Sequence, residues 1–275
     1  MAWIDPNAGY KQALAAKIVG THLKLLVILG ATGSGKSSLA LQMAEILNAP
    51  IVCVDSTTVY RELNIGTAKP TKAEQAQVPH HMLDRVSISE EFSFARFKRE
   101  VEEILAGYQA AGRQWSILVG GTHLYLRGIV DGYQLSEVGP QPQFREWAEQ
   151  QPLENLVLQL QELDPDSLGI VDLKNPRRVI RALEVCRFGP ALFSQGYRRQ
   201  PIAYPVFKIG LKTAEDWLHS RLASRLDQML ANGWQAEVQE ILRRGGEQHL
   251  RRLRVIGYLD LVDFCAQQIS LAGLK

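Results

Sequence analysis

The stretch "LLVILGATGSGKSSLALQM", residues 25–43, constrains the chain more than any other. Inside it "GATGSGKS", Gly30 to Ser37, satisfies G-x-x-x-x-G-K-[ST] in full. An apolar run, 25–29, leads in as a buried strand. A helical pattern over 38–47 leads out and stops at Asn48-Ala49-Pro50. Glycines allow backbone N–H groups to turn inward, and the following helix N-terminus favours an anion. Lys36 is placed to reach terminal phosphates and Ser37 to contact Mg²⁺. The loop therefore specifies an oligophosphate without saying what that phosphate is attached to.

Two further apolar runs, "IVCVD" at 51–55 and "WSILVGG" at 115–121, read as buried strands, and "FSFARFKREVEEILAGYQAAGR" reads as a long amphipathic helix ending near Gly112. Strands alternating with helices predict a P-loop-type parallel α/β sheet flanked by helices. Ligands in such sheets sit beyond the carboxyl ends of the strands. Gly30 to Ser37, Asp55 and Gly120-Gly121-Thr122 all fall there. Past about residue 130 the pattern changes to a linker-like "VGPQPQ", helices over 143–164, and a helix over 177–187 opened by Asn175-Pro176. "SQGYRRQPIAYP" reads as a loop and "VFKIGL", 206–211, as a strand that rejoins the sheet. A last long helix takes Thr213 as N-cap and stops at Asn232-Gly233. The expected division is an N-terminal extension, 1–23, a P-loop core, 24–130 with 200–275, and a mainly helical insertion, 131–199.

A nucleotide-splitting P-loop protein also wants an acidic residue ending a nearby apolar strand to hold Mg²⁺. The strand at 115–121 ends in glycines instead, and the well-placed carboxylate is Asp55, able to hold metal or act as a base. Its alternative reading is the N-cap of a turn. Net charge is only +2, yet "KNPRRVIRALEVCR" and "LRRGGEQHLRRLRVIGY" concentrate arginine. Two such clusters suit a polyanion as well as solvated helix faces. His80 and His81 lack a third ligand at metal spacing and read as structural or as pocket wall. Three separated cysteines, the lack of a secretory pattern at the N-terminus and the lack of a membrane-length apolar run point to a reducing cytoplasm with no membrane partner. On the residues alone, a small-molecule phosphotransferase of the shikimate-kinase type and a catalytically impaired RNA-binding protein both stay open.

"GATGSGKS", "VDSTTVYRELNIGTAKP", "VPHHMLD", "VGGTHLY", "NPRRVIRALEV" and "RVIGY" together resemble the bacterial tRNA dimethylallyltransferases in order and spacing, from about Lys24 to Gly257. The resemblance implies transfer of a dimethylallyl group from dimethylallyl diphosphate to N6 of adenosine-37, in tRNAs reading codons that begin with U. It implies a Mg²⁺ cofactor and a monomeric enzyme. Asp55 matches the general base that meets the amine, and Arg221 an arginine on the leaving diphosphate. Gly30, Thr32, Gly33, Ser34, Gly35, Lys36 and Ser37 match the diphosphate cradle, with Ser37 toward the metal. Asp55, Ser56, Thr57 and Thr58 match the segment meeting the flipped adenine. Thr122, Arg145, Arg177, Arg178, Arg181, Arg254, Gly257 and Tyr258 match positions on the tRNA, and Lys69 a phosphate or RNA contact. Two departures stand out. The family's Arg-rich "TRRYAKRQxxWF"-type segment is not found before "SLAGLK", and Leu259 stands where a basic residue is common. The first bears on stability, tRNA affinity or full activity, and the second weakens one expected RNA contact.

Overall fold

The computed structural model describes residues 2–4, 23–132, 136, 138–196 and 201–270, with only the backbone at 2–4, Gly196 and Glu215. The chain forms two compact units, 1–126 with 203–275 and 127–202. Most of the expected extension 1–23, part of the loop around 197–200 and the last five residues lie outside the described residues.

The first unit is built on six strands: β1 (Ala2–Ile4), β2 (Lys24–Gly30), β3 (Ile51–Cys53), β4 (His80–His81), β5 (Trp115–Val119) and β6 (Val206–Leu211). They pair in the order β1-β6-β2-β5-β3-β4, and every pairing is parallel. The central strands are continuous apolar runs because each is buried on both faces: Leu25, Leu26, Ile28, Val52, Ile117 and Leu118 are fully enclosed. Helix α1 (Lys36–Leu47) lays Leu39, Ala40, Met43 and Ala44 into the same core and ends at Asn48 in a left-handed conformation. Helix α2 (Lys72–Gln77) carries no apolar stripe and is held by a capping box between Thr71 and Glu74. Helix α3 (Phe94–Ala110) starts at Ser93, whose hydroxyl accepts from the Arg96 N–H, and buries Phe97, Val101 and Leu105. Helix α4 (His123–Val130) carries the chain toward the second unit.

That second unit is helical: α5 (Pro142–Glu149), α6 (Leu153–Leu163), a 3₁₀ turn (Pro165–Gly169), α7 (Pro176–Phe188) and the short α8 (Phe193–Gly196). Its own core joins Phe144, Leu156, Leu160, Val179, Ile180 and Leu183. The unit also holds a fully buried carboxylate, Glu184. Arg145 grips it with two hydrogen bonds of 2.8 and 2.7 Å, the Gln141 N–H donates at 2.7 Å and Arg181 at 2.5 Å. Burial opposes its ionisation, but these donors outweigh burial and hold its pKa down at about 2. A carboxyl depressed on folding contributes stability above its ordinary pKa and loses it as pH falls through the folded one. The helical unit is thus expected to lose stability between about pH 4.5 and pH 2. Glu184→Gln should flatten that acid limb when the melting of this unit is followed against pH.

The last four helices return to the first unit: α9 (Glu215–Ala231), α10 (Trp234–Arg243), α11 (Glu247–Leu253) and α12 (Tyr258–Cys265). The residue at the α9 N-cap is Ala214, and no side chain caps that end. Thr213 was the expected cap; the helix begins one residue later than its sequence suggests. Among the described residues no helix is long and apolar enough to cross a membrane.

Candidate active site

The phosphate loop takes its shape from two glycines in left-handed conformations, Gly33 at φ 84° and Gly35 at φ 89°, which a side chain would strain. Gly33 is also pressed from outside. An added Cβ there would meet Leu222 at 3.1 Å and Leu218 at 3.3 Å, so α9 packs directly on the loop. Lys36 is buried, and its ammonium donates to the carbonyls of Gly30 (2.9 Å) and Ala31 (2.7 Å). Burial lowers its pKa, and the Arg225 guanidinium lowers it further, against the raising effect of Asp55.

A cavity of about 370 Å³ opens beside the loop. Thr32, Gly33, Gly35, Lys36 and Ser37 line it from the loop side, Asp55 and Thr58 from beyond β3, Gly120 and Gly121 from beyond β5, and Arg221 from α9. The Asp55 carboxylate, the phosphate loop and Arg221 thus line one cavity. Asp55 is fixed through one oxygen: Oδ1 accepts from the Thr57 N–H (2.8 Å) and the Thr57 hydroxyl (2.6 Å). No hydrogen bond from the described residues reaches Oδ2, which faces Gly121, where a Cβ would lie 3.5 Å away. The Thr58 hydroxyl, on the cavity wall, and the Ser34 hydroxyl, inside the loop, are buried without a partner among the described residues. Polar atoms left in that state are what a bound polar ligand satisfies.

Sequence reasoning did not single out several lining groups. Arg225 lies one helical turn from Arg221, on the α9 face that also carries Ser224 and Gln228. Its pKa is lowered by burial and then by Arg221, with Asp55 acting in the opposite sense. Spacing of i, i+4 on the helix was the available signal. Thr67, Ala68, Pro70 and Glu74 come from the polar "GTAKP" run and α2. His80 and His81, read from the sequence as structural or pocket wall, take those places: His80 lines the wall with its Nδ1 at 2.7 Å from the Val78 carbonyl, and His81 meets the Tyr108 hydroxyl.

Other expected contacts have different occupations. Lys69, read as a phosphate or RNA contact, has a side chain only 3% exposed. Its three protons go to Tyr60 O (2.7 Å), Asn64 Oδ1 (3.0 Å) and Asp84 Oδ1 (2.7 Å), so it ties a loop together and has no donor left for a ligand. Tyr258 is fully buried, and its hydroxyl donates to Glu237 at 2.6 Å, which leaves its side chain no surface for RNA in this structure. Thr122 accepts from the Ser56 N–H at 3.2 Å and joins the ends of two strands. Arg145 and Arg181 hold Glu184 and keep 40% and 33% of their side-chain exposure. Arg177 is exposed at the start of α7, and Arg178 pairs with Asp172 at 3.3 Å. Arg254 is exposed in a left-handed conformation after α11, followed by Gly257 at φ 81°.

For a metal, the site offers the exposed Ser37 hydroxyl beside the cavity and the carboxylate of Asp55; the other lining carboxylate, Glu74, accepts from the Thr71 N–H and hydroxyl. Among the described residues no group of three His, Cys, Asp or Glu side chains gathers to hold an ion. This donor set fits Mg²⁺ bound largely by diphosphate oxygens and water, since that ion dehydrates reluctantly and takes few protein ligands.

A protein-family model described as IPP transferase matches residues 58–275; the phosphate loop and Asp55 lie ahead of the matched span. Over 240 residues the chain is 38% identical to a tRNA dimethylallyltransferase of Herpetosiphon aurantiacus, covering 86% of this chain and 76% of that one. It is 37% identical over 252 residues to the tRNA dimethylallyltransferase of Nostoc punctiforme, covering 92% and 82%. Among solved structures, the full-length tRNA isopentenylpyrophosphate transferase from Bacillus halodurans superposes with a TM-score of 0.64 at 30% identity, covering 91% of this chain and 80% of that one. A eukaryotic dimethylallyltransferase captured acting on tRNA superposes with a TM-score of 0.67 at 25% identity, covering 82% and 57%.

Proposed function

Because the chain belongs to the IPP transferase family, we propose that it transfers a dimethylallyl group from dimethylallyl diphosphate to tRNA, with N6 of adenosine-37 in tRNAs reading U-initial codons as the acceptor. The observation that carries the site assignment is the shared cavity. Asp55, the phosphate loop and Arg221 line one enclosure, although three separate segments supply them.

The chemistry follows from those positions. An exocyclic adenine amine is a weak nucleophile because its lone pair is delocalised into the ring. As N6 bonds to C1 of the isoprenoid, the C1–O bond breaks and diphosphate departs. The amine becomes more acidic as it gains positive character, and Asp55 Oδ2 takes its proton. Thr57 holds Oδ1, so the free oxygen is oriented before substrate arrives. Lys36, Arg221 and Arg225 surround the leaving group with positive charge, and charge developing on the bridging oxygen is stabilised there. Lys36 can exchange its loop carbonyls for phosphate oxygens. Mg²⁺, when bound through Ser37 and the diphosphate, would offset further negative charge. The target base has to leave its stack to enter, and the segment Asp55, Ser56, Thr57, Thr58 is its proposed seat. The core, 24–130 with 200–275, carries this chemistry in our reading. The helical insertion, 131–199, meets the RNA through Arg177, Arg178 and the exposed parts of Arg145 and Arg181. Cytoplasmic residence and a monomeric state belong to the same proposal.

Labelled dimethylallyl diphosphate, Mg²⁺ and unmodified tRNA form the direct test, with AMP as competing acceptor. Label is expected in tRNA. Phosphate release from ATP without prenyl transfer would favour the phosphotransferase reading instead. Arg177→Ala is expected to weaken tRNA binding and to reduce the salt slope of log K by about 1; a slope equal to that of the unaltered protein would remove Arg177 from the interface.

A further inference from the structure

One wall of the cavity is the loop 64–70, which the Lys69 ammonium ties to Tyr60 O, Asn64 Oδ1 and Asp84 Oδ1 and the Thr67 hydroxyl ties to Leu63 O. Thr67, Ala68 and Pro70 line the cavity, and Ala68 sits at φ 48°, a conformation an L-residue adopts at a cost. A second anchor for the loop lies on α10. Glu237 Oε2 accepts from the backbone N–H of Asn64 and of Ile65, each at 3.0 Å. Its other oxygen, Oε1, accepts from the Tyr258 hydroxyl at 2.6 Å. One carboxylate therefore holds the cavity loop on one side and the first residue of α12 on the other.

The indole of Trp234, one turn earlier on α10, repeats the connection by shape. It is 4% exposed and packs edge-on to Tyr258 with ring centroids 5.5 Å apart. It also lies against two glycines at once. A Cβ on Gly66, in the cavity loop, would run into the indole, and so would a Cβ on Gly257, in the turn before α12. That turn is the most exposed apolar feature of the described chain. Ile256 is 93% exposed, between Arg254 at φ 51° and Gly257 at φ 81°. On α11 before it, Arg251 pairs with Glu247 and Arg252 donates to the Ile88 and Glu90 carbonyls, which leaves Arg254 as the exposed cation of the turn. A basic turn that displays a bare aliphatic side chain on a locked backbone suits contact with a partly unstacked nucleic acid.

We propose that Trp234 and Glu237 are positioning residues that hold the cavity wall and the 254–257 turn as one piece, so that the seat for dimethylallyl diphosphate and the surface offered to RNA keep a fixed relation. The inference rests on the function proposed above. It adds a physical link between the two substrate sites of that reaction. The carboxylate suits the task because its three hydrogen bonds are charge-assisted and directional. The indole suits it because a rigid ring between two glycines tolerates little displacement on either side.

The test reads two binding constants that do not depend on turnover: dimethylallyl diphosphate without RNA, by calorimetry, and an anticodon stem-loop RNA, by fluorescence anisotropy. Glu237→Gln keeps size but replaces one acceptor oxygen with a donor. It is expected to weaken both ligands, each by about tenfold, the scale of one lost hydrogen bond to a charged group. Tyr258→Phe removes only the bond on the turn side and should weaken RNA alone. Trp234→Phe vacates space between the two glycines and should weaken both, which keeps the proposal testable if Glu237→Gln does not fold. Unchanged affinity for both ligands in Glu237→Gln and Trp234→Phe, or a loss confined to RNA in all three variants, would overturn it. Failure of the unaltered protein to prenylate tRNA would strike the proposed function and leave these two constants to decide the link.

Discussion

Asp55→Ala is expected to lower turnover by about 10²- to 10⁴-fold, the range in which a positioned general base contributes, while tRNA affinity changes little. The carboxylate is one group among many on an RNA-sized surface, and its own fixed contacts are to Thr57. Asp55→Asn is the sharper variant. Its amide oxygen can keep accepting from the Thr57 N–H and hydroxyl, so geometry survives, but the second position becomes an NH₂ donor and cannot take a proton. If geometry alone mattered, Asn would restore turnover; if basicity matters, Asn and Ala should fail alike. Affinity for dimethylallyl diphosphate should hold or rise in both. Asp55 acts on Lys36 and Arg225 as the opposing charge, and its removal leaves the cations less compensated before an anion binds. Stem-loop prenylation rates at saturating substrate, together with calorimetry for the donor, check both halves. Turnover equal to that of the unaltered protein would end the assignment of Asp55 as base.

The parts of this site that are legible in the sequence are those where a local rule reports on a local structure. "GATGSGKS" after an apolar run must turn its amides inward, and Asp55 ends the next buried strand, so both land at the same sheet edge in sequence and in structure. Strands β2, β3 and β5 announce themselves because burial on both faces demands runs that are almost wholly apolar, while β6 keeps Phe207 and Lys208 exposed and buries only its last three residues. Strand β4 does not, since its two residues are His80 and His81 and only pairing with Ile51 and Val52 makes them a strand. Helix α2 carries a capping box but no apolar stripe, which periodicity cannot see. Lys69 looks like a surface cation until Asp84 is brought beside it, and Tyr258 looks like a candidate contact until Glu237 takes its hydroxyl. The same limit hid Arg225, whose role depends on which face of α9 turns toward the phosphate loop. The resemblance to the prenyltransferases implies an isoprenoid diphosphate where the loop alone names only an oligophosphate.

Gly120→Ala is expected to lose about 3 kcal/mol of stability, the upper part of the range for overpacking, and most of its activity with it. The reason is space, since Gly120 carries no left-handed φ. A Cβ at Gly120 would collide with the backbone carbonyl of Val54, the residue before Asp55, and with its Cα at 3.0 Å. Backbone cannot rotate away as a side chain can. Here it is also pinned, because the Val54 N–H donates to Val119 O at 2.7 Å. Relief therefore requires the ends of β3 and β5 to part, and those ends carry Asp55 on one side and Gly121 on the other. Gly107→Ala is the matched control. It lies inside α3 with nothing within 4 Å of the added carbon, and it should stabilise by about 1 kcal/mol through helix propensity. Denaturant midpoints and prenylation rates on the pair separate the two effects. A Gly120→Ala protein as stable and as active as the unaltered one would mean that the two strand ends stand further apart than this structure places them. The tight approach of Gly120 to Val54 would then no longer be what sets Asp55 beside the phosphate loop.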